Sequence, residues 1–453
     1  MARPRPVDPP ALASLKPARE PFLSAEIHVV TPMFGGGAVA GVPDADLPIH
    51  GAAVRGHLRF WWRACFGSRY SSAPELFRAE SEVWGQAATA QGTHSSPSAV
   101  DVSVEIVSPG TTRPCAIPVF TPQGGYRAKW VHGLDAHALP YALWPFQGKG
   151  ANGIVTEQPS EMREGLALRV KFSFARHVAP SNMAKINAEV SAAVWAWVNF
   201  GGVGSRTRRG CGALFCADFA PEGDPGRWFR QTAGQHVRDG QRVLPIPVLS
   251  NARVLMETAP PGHEPRRPIA AWSRSVAWLQ EFRQGVNQGR NPGRQPNRPG
   301  RSRWPEADSV REMLGLHDPQ HQPAHPARPL FPRADLGLPI IFQRMGSGGP
   351  DPSLTVSSVG ASRFASPVIV KPLAVAPDRA LPMAVVLDAP RLWEVAPESV
   401  QLQSGYRVES VPADLLHDPR KSANVPPLHE EPAAREAFLK YVRTKASCVE
   451  VTL

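Results

Sequence analysis

Cysteine is scarce in this chain of 453 residues: Cys65, Cys115, Cys211, Cys216 and Cys448 are scattered, and no two form a CxxC pair. An odd, dispersed set argues against a disulfide framework and against a zinc knuckle; it fits a reducing cytoplasm, with no metal site expected. Long apolar runs are missing too. Nowhere do about 18 uninterrupted apolar residues occur, the length a helix needs to span a bilayer. Met1 to Glu20 is proline-rich and has no apolar core like that of a signal peptide. A soluble, unexported, cytoplasmic protein with no membrane partner is expected. Acidic residues are in short supply: 39 Asp and Glu stand against 50 Lys and Arg, a formal charge of +11. Such an excess attracts polyanions over long range and points to nucleic acid, although arginine-rich coding that scatters charge over a solvated surface gives the same sum. Clustering has to decide between them.

Hydrophobic residues at 42% and charged residues at 20% are enough to order most of the chain, while 50 prolines and 38 glycines demand many irregular connections. The length suits two or three domains. Behind a flexible tail (1–20), Phe22 to Val30 reads as a strand. Ala52 to Phe66 reads as a helix, since Val54, Leu58, Trp61 and Cys65 fall on one face. A short helix follows over Glu75 to Trp84. Val100 to Val107 and Leu166 to Phe174 alternate as half-buried strands do. Ser181 to Phe200 is a helix, and Ala213 to Phe219 a closing strand. The order βαββαβ is that of a ferredoxin-like unit, over 21–220.

After a polar linker (221–241) the order recurs over 242–453. Val243 to Glu257 is extended, Ala270 to Phe282 helical, and strands fall near Pro339 to Gln343 and Ala384 to Leu387. A helix over Ala433 to Lys445 leads into a last strand, Cys448 to Leu453. No residue-level repeat accompanies this, so the duplication rests on element order alone. The fold class expected is α+β: two tandem ferredoxin-like (RRM-like) domains with long loop insertions, the second more diverged. Between Glu281 and Glu306, RQGVNQGRNPGRQPNRPGRSRWP carries six arginines and no acid. Its Gly, Asn, Pro and Gln leave nothing to bury, so a mobile basic loop over 283–303 is expected unless a partner orders it.

Two constellations cluster the charge. In AVRGHLRFWWRACFG, Arg55, Arg59 and Arg63 recur every four residues and line one side of the helix beside His57. Their rise of about 6 Å per step is close to the spacing of successive phosphates on an extended strand, and a guanidinium grips phosphate bidentately. Trp62 beside the ladder offers a stacking face, while Trp61 belongs to the apolar stripe. The competing reading pairs these arginines with Glu75, Glu80 and Glu82 of the next helix. The second constellation is NFGGVGSRTRRGCG (Asn199 to Gly212). Gly202 and Gly204 allow close backbone approach, and Ser205, Arg206, Thr207, Arg208 and Arg209 supply donors. It is not a P-loop, since no Gly-Lys-Ser/Thr follows, nor a dinucleotide fingerprint, since Thr207 stands where the third glycine belongs. Nucleotide hydrolysis is unsupported, and no cofactor is expected. Three arginines within four residues repel one another unless an anion is near.

This turn resembles the G-rich loop that RAMP proteins place before their last strand. VTPMFGGG (Val30 to Gly37) and PIHGAAVRGHLRFWWRA (Pro48 to Ala64) resemble the signature of the first subunit of type III-B CRISPR (Cmr) effector complexes. ELFRAESEVWG (Glu75 to Gly85), YALWPFQG (Tyr141 to Gly148), GRSRWPEADSVR (Gly300 to Arg311), FPRADLGLPIIF (Phe331 to Phe342) and SRFASPVIVKP (Ser362 to Pro372) are similar in order along the chain. The resemblance implies two tandem RAMP domains and a non-catalytic, RNA-binding role in antiviral defence. It places the protein at the end of a ribonucleoprotein filament, contacting the 3′ part of the guide RNA and its target. Its partners would be the repeated backbone RAMP subunit and the other filament-end RAMP subunit. Arg301, Arg303, Trp304 and Arg333, inside the matching segments, join the candidate RNA contacts. The chain departs from the family at His50, commonly arginine, and at Cys211, often aromatic, which implies a weaker phosphate contact and a missing stacking one.

Three rival readings stand beside this. A RAMP endoribonuclease that processes guide precursor would use His50 or His57 as general acid or base. Asp44 and Asp46 form a DxD-like pair without a third metal ligand. A purely structural assembly subunit would turn its basic loops toward protein acids.

Overall fold

Ala25, Ile27 and Val29 are buried and alternate with Ser24, Glu26 and His28, which gives β1 (Leu23–Val29) one apolar and one polar face. The computed structural model describes residues 19–87, 95–260, 262–293, 299–316, 322–342, 354–359, 363–395, 400–405, 407–445 and 448–453. Most of the expected tail thus lies outside the described residues. In it β1 pairs with β3 (Ala167–Phe174) in the register Ile27 to Leu168, and β3 pairs with β2 (Val100–Ser108) in the register Val170 to Val104. A short β4 (Leu214–Phe215) flanks β1, completing the antiparallel order β4-β1-β3-β2. The closing strand expected over Ala213 to Phe219 stops at Phe215, and a single 3-10 turn, Ala217–Phe219, follows. The crossovers are α1 (Gly51–Phe66) and α3 (Pro180–Phe200), with α2 (Ala73–Trp84) started by a Ser72 cap.

The stretch expected as a polar linker contains α4 (Pro225–His236), capped by Asp224, whose Phe229 stacks on Phe200 of α3. The second unit runs β5 (Val248–Glu257), α5 (Pro268–Gln284), β6 (Val368–Ala376), β7 (Arg379–Asp388), α6 (Ala434–Arg443) and β8 (Cys448–Thr452), in the sheet order β6-β7-β5-β8. Both sheets therefore have ferredoxin-like connectivity. The strand expected near Pro339 to Gln343 is corrected. Ile340–Phe342 belongs to a separate four-stranded sheet with Leu354–Ser358, Val400–Ser404 and Arg407–Ser410, which has its own core around Phe331, Val356 and Leu402. Its expected place is taken by β6, which is apolar on both faces. Val368 and Val370 pack with Trp272 and Val276 of α5, whereas Ile369 and Leu373 share a core with α1 and α3. A strand covered on both faces carries no period-two signal.

One core thus runs from the first sheet through α1 and α3 to the second sheet. Lys371 of β6 sits inside it, 1% exposed. Its Nζ donates to the carbonyls of Val198, Asn199 and Gly201 at 3.1, 3.0 and 2.9 Å, closing the C-terminus of α3 with an amine from the other unit. The basic segment 283–303 is likewise more ordered than expected. Arg290–Pro292 pairs with Pro299–Ser302, and Arg301 is held by Asp308 of the helix Glu306–Met313; residues 294–298 lie outside the described ones. Among the described residues no helix is long and apolar enough to cross a membrane.

Candidate nucleic-acid interface

The turn after α3 has its shape because side chains are missing where the backbone folds on itself. Gly204 has φ 78°, and a Cβ there would stand 2.3 Å from the Phe34 carbonyl; Gly212 has φ 59° and would meet the Val203 carbonyl at 2.0 Å. Hydrogen bonds lock the result. The Ser205 N–H donates to Phe34 O at 2.7 Å, Val203 N–H to Gly212 O at 2.9 Å, and Gly212 N–H to Pro32 O at 3.0 Å. The Thr31 hydroxyl donates to Gly210 O, and from the second unit Trp272 Nε1 donates to Arg209 O at 2.5 Å. Gly202 is buried, Gly204 and Ser205 form the exposed tip, and Thr207–Arg209 make one 3-10 turn behind a left-handed Arg206. Several of the N–H groups that a backbone clasp would need are therefore already engaged, and binding falls mainly to side chains.

Those side chains are half-buried and lack counter-charges. Arg209 Nη1 donates to Val368 O at 2.8 Å, Arg208 Nη1 donates to Ser366 O, and the Arg206 Nε is buried without a partner. Among the described residues no carboxylate lies within ion-pair distance of any of the three. Burial pushes all three guanidiniums below their usual range, Arg209 to about 10.

Helix α1 meets the turn where Arg208 lies over the Phe60 ring at 5.6 Å. The ladder is only partly free. Arg59 Nε and Arg63 Nη1 both reach the same Glu80 Oε1 at 2.6 Å, with the Glu80 side chain 4% exposed. Glu75 instead bonds Ser71, and Glu82 faces Lys185. Arg55 is exposed, with no carboxylate at ion-pair distance among the described residues. The stacking role expected of Trp62 is corrected: it is 1% exposed, and its Nε1 donates to Glu189 at 3.0 Å, because it lies on the buried side of the helix with Trp61. His57 is half-buried near Trp197, and burial lowers its pKa. His50 stays exposed at the start of α1, and Cys211 is fully buried.

The structure does not bring the later candidates to this place as free groups. Trp304 is 1% exposed and donates Nε1 to Arg283 O, so it is core. Arg333 pairs with the fully buried Glu306 at 3.1 Å and Arg301 with Asp308, while Arg303 binds the Asn287 carbonyl. Asp308 and Glu306, on the helix just downstream, neutralise Arg301 and Arg333 respectively. Asp44 accepts from the Asp46 and Leu47 N–H groups and so makes a turn. The outward positions of β1 and β3 carry Glu26, Arg169 and Lys171, cross-linked with Glu105 of β2 at 2.8 to 3.4 Å, and present no stacked aromatics of the RRM kind. A cavity of about 440 Å³ is also rich in arginine, but Arg242, Arg391 and Arg435 in its wall are paired with Asp388, Glu436 and Asp335. Sequence reasoning missed Phe60 as the bridge and Trp272 as the brace; the family-like segments contain the first but not the second.

A model of the RAMP superfamily matches residues 26–215. No curated protein matches the chain. Among solved structures it is similar to Cmr1 from Pyrococcus furiosus in its apo form, at 13% identity and a TM-score of 0.46, covering 94% of this chain and 97% of that one. It is similar to a chain of type III-B Cmr-beta bound to cognate target RNA, at 10% identity and a TM-score of 0.45, covering 94% and 100%. A Cmr-beta structure with target RNA and AMPPnP in the presence of ssDNA follows, at 9% identity and a TM-score of 0.44, covering 82% and 95%. The span that the RAMP superfamily model matches, residues 26–215, carries both the arginine helix and the glycine turn.

Proposed function

We propose that this protein is a non-catalytic, RNA-binding subunit of a type III-B CRISPR effector complex, contacting the 3′ part of the guide RNA and its target at the filament end, in antiviral defence. In this reading residues 21–220 and 242–453 are its two RAMP-type domains, and the backbone and filament-end RAMP subunits are its protein partners. One observation carries the RNA-binding part: Arg206, Arg208 and Arg209 are held in a braced turn without carboxylate partners among the described residues, with Arg208 over the Phe60 ring of α1. Three half-buried cations with no counter-ion are arranged for an external polyanion. The motif resemblance and the RAMP match over residues 26–215 support the family-level part. The endoribonuclease alternative draws no support from His57, which is packed near Trp197.

The test is binding of single-stranded RNA by the purified protein over a salt series. The logarithm of affinity should fall with the logarithm of salt at about 0.7 per phosphate contacted, with guide precursor and target left uncut. A flat salt response would sink the reading.

A further inference from the structure

Arg283, in the last turn of α5, belongs to the second unit and reaches toward the first. Its Nη1 donates to Tyr141 Oη at 3.0 Å. Its carbonyl accepts from Trp304 Nε1 at 3.1 Å, which fixes where the side chain begins, and its Nε is buried without a partner. Arg206 arrives from the glycine turn in the same condition, with a buried, unpartnered Nε. Burial lowers both Arg206 and Arg209, and the same neighbour, Tyr141, acts on both; Arg363 presses on Arg206, and Arg283 presses on Arg209 along with Arg206 and Arg208. Tyr141 therefore stands among guanidiniums from two separate segments, the glycine turn and the end of α5. No carboxylate among the described residues pairs with Arg206, Arg209, Arg283 or Arg363.

No carboxylate among the described residues explains this grouping. The cavity arginines and the ladder show what the fold does where charge is only structural: each of Arg59, Arg63, Arg242, Arg391 and Arg435 has a carboxylate. Around Tyr141 the fold gathers like charges instead and leaves donors unmet, a cost that a tetrahedral oxyanion removes by accepting from several guanidiniums at once. The Tyr141 hydroxyl accepts from Arg283 and keeps its own proton for the same anion.

We propose that Arg206, Arg209, Arg283 and Tyr141 form a phosphate pocket at the junction of the two units, occupied by one phosphodiester of the bound RNA strand. The proposal rests on the RNA-binding reading above and adds to it that the second unit supplies part of the site.

The experiment compares wild type, Arg283→Met, Tyr141→Phe, Arg206→Met and the Arg206→Met/Arg283→Met pair. One arm measures affinity for a 20-nucleotide oligouridylate over a salt series, and the other thermal stabilisation by inorganic phosphate, with folding checked by circular dichroism. Arg283→Met should weaken RNA binding about tenfold and lower the salt slope by about 0.7, the loss of one phosphate contact. Tyr141→Phe, the gentler change, should weaken binding about threefold at an unchanged slope, because the hydroxyl carries no charge. The double variant should lose less than the product of the single losses, since both arginines serve one phosphate. Wild-type-like RNA binding by both Arg283→Met and Tyr141→Phe would overturn the pocket while leaving the RNA reading intact. If wild type does not bind RNA, the RNA reading fails, and stabilisation by phosphate that Arg283→Met abolishes would assign the pocket to free phosphate instead. Absence of both responses would overturn the two together.

Discussion

At the scale of single residues, the ladder on α1 is governed by one carboxylate. Glu80 holds Arg59 and Arg63 through a single oxygen, so it subtracts one charge from the face that would meet RNA and fixes both side chains. Glu80→Gln should release them, raising RNA affinity and steepening the salt response by about 0.7 per arginine freed. Arg55→Ala, which removes an arginine with no such partner, should flatten it by about the same amount in the same titration. A fall in affinity for Glu80→Gln would show that Glu80 aims the arginines rather than occupying them. Lys371 gives a second prediction. Burial pushes its ammonium down to about 7. The unfolded lysine titrates near 10.4, so between about 7 and 10 the unfolded chain binds more protons and the folded state gains stability as pH rises. Relative to Lys371→Met, wild type should be more stable by about 1–3 kcal/mol at pH 7. The margin should widen toward pH 10 in urea denaturation.

At the scale of elements, the glycine turn is a structural part with a side-chain function. Gly204→Val places a branched Cβ against the Phe34 carbonyl at a left-handed φ, so RNA affinity should drop at least tenfold while circular dichroism stays that of wild type. Wild-type affinity in a folded Gly204→Val protein would mean that the turn takes no part in binding. Much of the first unit was legible because its strands alternate and α1 shows one apolar stripe: Ala25 to Val29 and Leu168 to Phe172 reveal their faces directly. The second unit was less so. β6 has no polar alternation because helices cover both of its faces, whereas Ile340–Phe342 reads as a strand and is one, in a sheet that the βαββαβ order does not contain. In the site, the charges were legible and their partners were not. The neutralising Glu306 and Asp308 lie within a few residues of Arg301 and Arg303, but helical spacing alone does not say which arginine each will meet. Trp62 failed for a geometric reason: α1 is buried against the first sheet and shares a core with the second, so its apolar arc is wider than the one stripe implied.

At the scale of the whole molecule, α1 and α3 serve two sheets, and Lys371, Trp272 and Val368 tie the second unit to the first. The two units should therefore unfold in one calorimetric transition, and residues 19–220 expressed alone should show no cooperative melt, since the partner face of α1 and α3 would be exposed to water. Two well-separated transitions, or a sharply melting fragment, would contradict this. The double bracing of the glycine turn also bears on how quickly RNA is captured. A loop that must be ordered by its ligand loses conformational entropy in the binding step and waits for a rare closed state; here Thr31, Phe34 and Trp272 have already fixed the backbone during folding. On the proposed RNA-binding role, encounter should then be limited by diffusion and charge steering and proceed in one kinetic phase.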